Sequence, residues 1–303
     1  MVSDLHGTVV VGIDGSDEAM RAAVYGAWEA NRRRVTLRLV FAYQPMPMWS
    51  PGVLVADDDR WERNWVRAQL AAAHEHVAAA YPDMTVETAM TSASPAGALV
   101  DESEHAGLVV VGTQATGGFV GHLTGSVAVQ VAAHAHCPVI VVRPTSGAEL
   151  DPVTFPDRPV IVGLDGSRES ERAMDFAVEQ AVARNAQLHA IYAWNVLEVH
   201  NIGPIVAEQF INADEEAKAL RLLTEATEGW TDRYPDLHIV RRVIHSLEPA
   251  EALARARQDA GLIVVGSRGH GGFLGLRLGS TVDALIRHAT APVAVVRDQH
   301  QGQ

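Results

Sequence analysis

Two glycine-rich segments of the sequence contain residue types that can hold an anionic phosphate. The clearer segment reads Gly266-Ser267-Arg268-Gly269 and, after nine further residues, reaches Gly279-Ser280 at the start of a predicted helix. A glycine-rich loop that leads into a helix leaves backbone N–H groups unpaired at the positive end of the helix dipole. Glycines after a strand also serve simple turns, so this segment is a candidate for phosphate binding rather than proof of it.

An aspartate followed by Gly-Ser ends the first predicted strand in each half of the chain. The two copies read Ile13-Asp14-Gly15-Ser16 and Leu164-Asp165-Gly166-Ser167. In open parallel sheets, ligands bind beyond the carboxyl ends of the strands, where the strand order reverses. We therefore expect Asp14 and Asp165 to lie at the same sheet edge as the glycine-rich loops.

The chain of 303 residues is an internal duplication. The segment Thr8–Ser16 reappears as Pro159–Ser167 at an offset of 151, and from Pro95 and Pro249 onward the offset is 154. A repeat of this length is too long for a solenoid and indicates two copies of one domain. Because Pro, Gly and Asp occur throughout residues 144–157, we place the boundary there and predict domains at 1–146 and 156–298.

Strands and helices alternate along each half. The predicted strands are Val9–Ile13 and Val160–Leu164, Leu37–Tyr43 and Leu188–Trp194, Thr85–Met90 and His238–Ile244, Leu108–Val111 and Leu262–Val265, and Val139–Val142 and Val293–Val296. Long helices are predicted at Asp57–Ala80, with Trp61 and Trp65 in a core-facing stripe, and at Asp214–Arg233. This order predicts an α/β fold of two tandem doubly wound domains, each a five-stranded parallel sheet flanked by helices.

The spacing of the second glycine-rich segment resembles the ATP-binding motif of the universal stress protein family. That motif, G-x-x-G, nine residues and then G-S, corresponds here to Gly266, Gly269, Gly279 and Ser280. The likeness extends to the aspartate that ends the first strand, to the order of the elements and to essentially the whole of both halves. The chain is therefore similar to tandem universal stress proteins of the mycobacterial type, which share the fold of the adenine nucleotide alpha hydrolases.

The resemblance implies a set of residues that contact ATP in each half. It places an aspartate near the ribose or the metal-bound phosphates, a small residue of the second strand at the adenine pocket, and the start of the last helix at the terminal phosphates. In the second half the set is Asp165, Ala193, Gly266, Arg268, Gly269, Gly279, Ser280 and Thr281. In the first half it is Asp14, Ala42, Gly112, Gly125 and Ser126. The implied cofactor is ATP, and whether Mg²⁺ accompanies it stays open.

The first half departs from the motif at two positions. Ala115 stands where the second half has Gly269, and Gln114 stands where it has Arg268. If the glycine position needs a positive φ, a Cβ costs on the order of 1 kcal/mol or more, whereas a need for close ligand approach alone would tolerate a methyl group. Gln114 also lacks a charge that could meet a phosphate. We predict that both halves bind nucleotide and that the second half binds it more tightly.

The composition argues against several other classes of function. The chain carries 37 acidic and 24 basic side chains, a net charge of −13, which disfavours nucleic-acid and anionic-membrane surfaces. With Lys218 as the only lysine the chain contains no P-loop, and with Cys137 as the only cysteine it forms no intrachain disulfide. We expect ordinary packing rather than a metal site at His134-Ala135-His136-Cys137. No membrane segment or signal peptide is evident, so we expect a cytoplasmic protein.

Three functions are compatible with these residues. The first is an ATP-binding regulator of stress response or dormancy that acts through occupancy with little or no hydrolysis, the second is a slow ATPase or phosphotransferase, and the third is a nucleotide-independent interaction scaffold. Catalysis needs a positioned base and a cation at the transferring phosphoryl group, and no such pair is repeated in both halves, which favours the first function. The resemblance also implies that the last strand of each half pairs domains or subunits, which covers an exposed edge. We expect a homodimer and a regulatory protein partner whose identity stays open.

Overall fold

The computed structural model describes residues 7–43, 60–113, 126–143, 158–194, 207–246, 248–256, 259–269 and 278–297. The chain divides into two compact units, and the division falls between Pro144 and Thr145. Each unit is an α/β domain in which strands and helices alternate. The duplication found in the sequence is therefore also a duplication of structure.

The first domain is built on a parallel sheet. Its described strands are β1 (Thr8–Gly12), β2 (Leu37–Tyr43), β3 (Val86–Ser92), β4 (Ala106–Gly112) and β5 (Val139–Val142). They lie in the order β3-β2-β1-β4-β5, and all neighbours are parallel. The described helices are α1 (Asp17–Arg33), α2 (Arg60–Ala80), α3 (Pro95–Ser103) and α4 (Ser126–His134). The order reverses between β1 and β4, so their carboxyl ends flank the point where open sheets bind ligands.

The second domain repeats this topology. Its described strands are β6 (Val160–Gly163), β7 (Leu188–Trp194), β8 (Ile239–His245), β9 (Leu262–Gly266) and β10 (Val293–Val296). Their order is β8-β7-β6-β9-β10, again with all neighbours parallel. The described helices are α5 (Arg168–Arg184), α6 (Ala207–Thr227), α7 (Trp230–Arg233), α8 (Pro249–Arg255) and α9 (Ser280–His288). The switch point of this domain lies between β6 and β9.

Runs of Val, Ile and Leu form the central strands because helices cover both faces of each sheet. In the first domain Val9–Val11 and Leu108–Val111 are at most 3% exposed, and in the second Val160–Val162 and Leu262–Val265 are at most 4% exposed. Burial of apolar surface is worth roughly 25 cal/mol per Å², so these strands contribute much of the stability of each core. The predicted doubly wound α/β fold is confirmed in both copies.

The long helix of the second domain differs from its prediction. Instead of one helix over Asp214–Arg233, α6 begins at Ala207 and ends at Thr227, and α7 follows as a single turn. Gly229 between them has a φ of +79°, in the left-handed region that a helix cannot continue through. The corresponding α2 runs unbroken to Ala80, and residues 57–59 of its predicted start lie outside the described residues.

The prediction that Trp61 and Trp65 face the core is wrong. Their exposed fractions are 75% and 43%, and Trp65 makes an edge-on contact with Phe41 of β2, with ring centroids 5.6 Å apart. The buried face of α2 carries Val66, Leu70, Ala73 and Val77. These four residues also follow the helical period, so the tryptophan pair marked a genuine helix face but not the face that packs inward.

Candidate functional site

A tight turn holds Asp165 at the carboxyl end of β6. Its Oδ1 accepts a hydrogen bond from the backbone N–H of Ser167 at 3.0 Å and another from the Ser167 hydroxyl at 2.6 Å. Gly166 between them has a φ of +80°, which favours glycine at this position. The turn therefore fixes the direction of the carboxylate through one of its two oxygens.

Gly269 lies against the other oxygen of the same carboxylate. A Cβ at Gly269 would collide with Asp165 Oδ2, and the φ of Gly269 lies outside the left-handed region. Close approach, and not a positive φ, is therefore the reason for glycine at this position, and the group approached in the structure is the aspartate. The counterpart Ala115 and its neighbour Gln114 lie outside the described residues.

Gly266 packs the end of β9 against the first turn of α5. A Cβ at this position would lie 2.8 Å from the carbonyl carbon of Glu169. Gly112 of the first domain meets Glu18 in the same way, with its ideal Cβ position 2.5 Å from the Glu18 carbonyl oxygen. At both glycines the structure shows a contact between strand and helix, which is a known use of glycine in such folds. Their implied approach to a ribose stays a prediction.

The start of α9 is tied to the loop that leaves β9. Gly279 is the N-cap of α9, and its N–H donates to the carbonyl oxygen of Ser267 at 2.9 Å. No side chain of the described residues caps this helix, so its first N–H groups have neither an intrahelical acceptor nor a side-chain cap. In α5, by contrast, the Ser167 hydroxyl accepts from the Ser170 N–H at 3.2 Å. The start of α9 thus offers backbone donors to an anion.

An ion pair links the glycine-rich loop to α5. Arg268 Nη2 lies 3.3 Å from Glu169 Oε1, and the exposed fractions of the two side chains are 35% and 13%. These residues are 99 apart in the sequence. Glu169 has an ordinary local role as a carboxylate in the first turn of a helix, where it suits the helix dipole, so no sequence pattern marked it as a partner of Arg268.

Ala193 and Ala42 occupy the same place in their respective domains. Ala193 lies near the end of β7 in register with Ile244 of β8, and Ala42 lies near the end of β2 in register with Thr91 of β3. Both side chains are partly exposed. They stand at the carboxyl ends of strands beside the switch point, where the family resemblance puts adenine, and their contact with a ligand stays a prediction.

The described part of the first-domain site repeats the second. Asp14 Oδ1 accepts from the Ser16 N–H at 2.9 Å and from the Ser16 hydroxyl at 2.6 Å. Ser126 is the first residue of α4, as Ser280 is of α9. Asp14 is exposed, whereas Asp165 is partly buried. Gly125 lies outside the described residues.

A second concave region of this domain lies at the opposite edge of the sheet. A cavity of about 300 Å³ opens between the end of α5 and the chain that leads into β8, and its lining includes Asn185, Tyr234 and His238. Arg233, also in the lining, lies over the rings of Trp230 and Tyr234, with its guanidinium carbon 5.7 and 5.5 Å from their centroids. Because it forms at the amino ends of β7 and β8, this groove is separate from the residues that the sequence nominates.

Possible metal ligands are scattered rather than grouped in the described part of the chain. No three or more His, Cys, Asp or Glu side chains there are arranged to hold a metal ion. His134 Nδ1 lies 2.8 Å from the Gln130 carbonyl oxygen, and burial raises the pKa of the Cys137 thiol to about 12. Among the described helices, none combines the length and the apolar character that a membrane span needs.

Comparison with known proteins assigns this arrangement to a family. The sequence model of the universal stress protein family matches residues 6–143 and 158–297. The chain therefore belongs to the universal stress protein family and carries two of its domains in tandem. This confirms the membership that the motif spacing predicted.

Individual relatives agree with this assignment. A universal stress protein of Mycobacterium tuberculosis is 34% identical over 300 residues, which cover 96% of each chain. A solved universal stress protein from Archaeoglobus fulgidus has the same fold, with a TM-score of 0.63 at 20% identity over 96% of this chain and 98% of that one. A shorter universal stress protein, solved in complex with cAMP, is 27% identical and covers 46% of this chain and 97% of its own, with a TM-score of 0.36.

Proposed function

We propose that this universal stress protein binds ATP at the carboxyl edge of its second sheet and regulates a stress response through nucleotide occupancy. One observation carries the proposal: a single loop joins a fixed carboxylate to an uncapped helix start. Gly269 contacts the Asp165 carboxylate, and Gly279 of the same loop opens α9 while bonded to Ser267. A carboxylate suits the hydroxyls of a ribose, and helix N–H groups suit a phosphate.

The starts of α5 and α9, which both lie at this edge, differ in the hydrogen-bond donors and the charge that they present to a phosphate. In α5 the Ser167 hydroxyl takes up a first-turn N–H, and Glu169 and Glu171 add negative charge. In α9 the first residues are Ser280 and Thr281, whose hydroxyls can donate alongside the backbone. Asp283, the acidic residue of that first turn, is paired with Arg287 at 2.8 Å, which offsets its charge. An anionic ligand is therefore favoured at α9 and disfavoured at α5.

Asp165 has the chemistry for either a ribose hydroxyl or a magnesium ion. A carboxylate oxygen accepts from hydroxyl donors, and it is also the ligand type that Mg²⁺ prefers in nucleotide sites. The turn with Ser167 holds the carboxylate in place, which reduces the entropy lost on binding. Bound Mg²⁺ would supply charge neutralisation for the phosphates, and Asp165 is the residue of this edge that would hold it.

The arrangement favours occupancy over turnover. Phosphoryl transfer is accelerated by cations that stabilise the charge of the transferring group. Among the described residues of the loop the cation is Arg268, which is paired with Glu169. The single lysine, Lys218, lies in α6 with an exposed side chain. We therefore expect ATP to be held and hydrolysed slowly or not at all.

The first experiment is to identify what the protein retains on purification. The full chain is purified without added nucleotide and denatured, and the released small molecules are quantified by chromatography and mass spectrometry, followed by calorimetric titration with ATP, ADP and cAMP. We expect one or two equivalents of ATP per chain, retained or taken up on titration. Released ADP would shift the function toward slow hydrolysis. Protein that is empty and fails to bind added ATP would overturn the proposal and leave the scaffold function.

Hydrogen exchange with and without ATP then locates the ligand. We expect protection in residues 262–269 and 278–288 of the second domain, whereas protection around Arg233 and Tyr234 would move the ligand to the opposite groove. The matched variant is Thr281→Val, because Val127 stands at the corresponding position of the first half. It should weaken ATP binding about 5-fold through one lost hydrogen bond while leaving the Tm unchanged.

The homodimer, the cytoplasmic location and the regulatory protein partner belong to the same proposal. Sedimentation equilibrium of the full chain with and without ATP tests the dimer. A mass of two chains in both conditions would support it, and a mass of one chain in both would overturn it.

A further inference from the structure

We propose that Glu169 competes with the nucleotide phosphates for Arg268 and so lowers the affinity of the second domain for triphosphates. The inference rests on the proposed function, because it concerns the strength and selectivity of the same site. It assigns a role to a residue outside the glycine-rich motif. That role follows from where the guanidinium of Arg268 is held.

The backbone of Arg268 lies beside one helix, and its side chain contacts another. Its Cα lies 3.7 Å from the position that a Cβ on Gly279 would take, so the backbone runs beside the start of α9. Its guanidinium instead lies 3.3 Å from the carboxylate of Glu169, in the first turn of α5. The ion pair thereby holds the guanidinium of Arg268 at the first turn of α5.

The pair also contributes to the charge that an incoming phosphate meets. In the described part of this edge, Asp165 and Glu169 contribute two carboxylates and Arg268 contributes one guanidinium, so these three side chains together have a charge of −1. Glu169 is only 13% exposed, so water screens its charge poorly. If Arg268 turned to a phosphate, Glu169 would lose its cation, which is costly for a charge with so little access to water.

This cost depends on the charge of the ligand. The repulsion from a fixed carboxylate grows in proportion to the ligand charge, which is about −2 for AMP and about −4 for ATP without Mg²⁺. Glu169 therefore weakens the binding of ATP more than that of AMP. The consequence for a protein that acts through occupancy is an affinity low enough for the bound fraction to vary with the ATP concentration.

The main test removes the charge of the Glu169 carboxylate and keeps the shape of the side chain. In Glu169→Gln, the amide oxygen can still accept from Arg268 but carries no charge. ATP and AMP are titrated into the full chain without Mg²⁺, and hydrogen exchange of peptides covering residues 278–288 reports occupancy of the second domain. We expect the Kd for ATP to fall about 10-fold and the Kd for AMP about 3-fold. Addition of Mg²⁺ should reduce the gain for ATP.

Two control variants distinguish an effect of the Glu169–Arg268 pair from the effect of removing a negative charge elsewhere. Glu171→Gln removes the same charge from the same helical turn, but the Glu171 side chain is exposed, so the Kd should change less than 2-fold. Glu18→Gln makes the corresponding change in α1, where Gln114 replaces the arginine, and it should leave the second domain unaffected. In contrast, Arg268→Gln should weaken ATP binding, and it should do so more when Glu169 is already Gln, because Arg268 can then bind a phosphate without losing its ion pair.

The outcomes distinguish this inference from the proposed function. If the wild-type second domain binds ATP and Glu169→Gln matches Glu171→Gln, the inference is overturned and the proposed function stands. If no form of the chain binds ATP, the proposed function fails and the inference with it. If Glu169→Gln does not fold, Glu169→Asp is compared with the wild type, because its shorter side chain withdraws the carboxylate from Arg268. Tighter ATP binding by Glu169→Asp supports the inference, and equal binding overturns it.

Discussion

The turn after the first strand has almost the same geometry in the two domains, whereas the buried polar residues of the helix that follows it differ. Asp14 and Asp165 accept the serine N–H at 2.9 and 3.0 Å and the serine hydroxyl at 2.6 Å in both cases. The intervening glycines have φ values of +83° and +80°. The turn involves three adjacent residues, Asp-Gly-Ser, that are identical in the two copies, so its geometry does not depend on contacts that differ between the domains.

The buried polar residue that accepts hydrogen bonds from an arginine differs between α1 and α5. In α1, Glu29 is fully buried and lies 2.6 Å from Arg32 and 3.0 Å from Arg33. In α5 the corresponding residue is Gln180, also fully buried, whose side chain and carbonyl oxygen both accept from Arg184. At this position one domain therefore places a buried carboxylate beside its arginines, and the other places a buried neutral amide. Positions that depend on packing have diverged between the copies, whereas the local turn has not.

The largest effect is expected from breaking the buried cluster of α1. Glu29→Ala leaves two arginines without their buried carboxylate and should cost about 3 kcal/mol or more of unfolding free energy. Gln180→Ala removes a neutral acceptor and should cost about 1–2 kcal/mol. Denaturant unfolding of the full chain, with hydrogen exchange to assign each transition to a domain, measures both. Equal losses would show that the charge of Glu29 adds nothing beyond its hydrogen bonds.

The next largest effect is expected on ligand binding, from a substitution of Gly269, the second glycine of the motif. Gly269→Ala places a Cβ against Asp165 Oδ2, so the loop must move, and we expect the second domain to bind ATP about 10-fold more weakly, or about 1.4 kcal/mol. The reverse change, Ala115→Gly, should strengthen binding by the first domain. Domain-resolved hydrogen exchange during ATP titration gives both affinities. Unchanged binding in Gly269→Ala would mean that the contact with Asp165 has no role in the site.

A smaller effect is expected from the aspartate turns themselves. Asp165→Ala removes two hydrogen bonds of a partly buried turn and should cost about 1 kcal/mol, whereas Asp14→Ala, at an exposed turn, should cost less. Asp165→Asn keeps an oxygen acceptor and should retain most of the stability while losing the carboxylate charge. Thermal unfolding of the four aspartate variants, including Asp14→Asn, provides the comparison. A larger loss from Asp14→Ala would contradict the dependence on burial.

The smallest effect distinguishes Cys137 from its counterpart Ala291. Both side chains are buried, and Cys137→Ala should cost about 1 kcal/mol or less at neutral pH. Because burial raises the pKa of the thiol from 9.0 to about 12, the folded state keeps the thiol neutral while the unfolded chain can ionise it. The stability that this provides is complete below about pH 9 and is lost as the pH rises toward 12. Unfolding measured from pH 8 to 11 should show a steeper decline for the wild type than for Cys137→Ala.

Most of the fold could be predicted because it follows from short-range rules. Continuous runs of β-branched residues identify the central strands, and the Asp-Gly-Ser triplets identify the turns that begin α1 and α5. The break between α6 and α7 was missed, although Gly229 was its visible signal. The inward face of α2 was missed because two faces of that helix carry apolar residues at the same period.

The sequence could predict residues of the candidate site but not the contacts between them. The end of the first strand in the second half predicted Asp165, and the motif spacing predicted Gly269 and Gly279. The structure brings Asp165 and Gly269 into contact. The partner of Arg268 could not be predicted, because Glu169 lies 99 residues away and long-range pairs depend on how the loop is folded. The reason for glycine at Gly269 was also hidden, since it concerns an oxygen of a distant residue rather than the local φ.

The contacts of Gly112 with Glu18 and of Gly266 with Glu169 limit how the two copies can change over evolutionary time. Even a methyl group at either glycine would push the first turn of the neighbouring helix away from the strand end. The aspartate turn leads directly into that helix, so it would be displaced as well. No second substitution nearby can restore space that the helix backbone itself occupies. In a saturation library of this gene, these two codons should remain glycine while their neighbours vary.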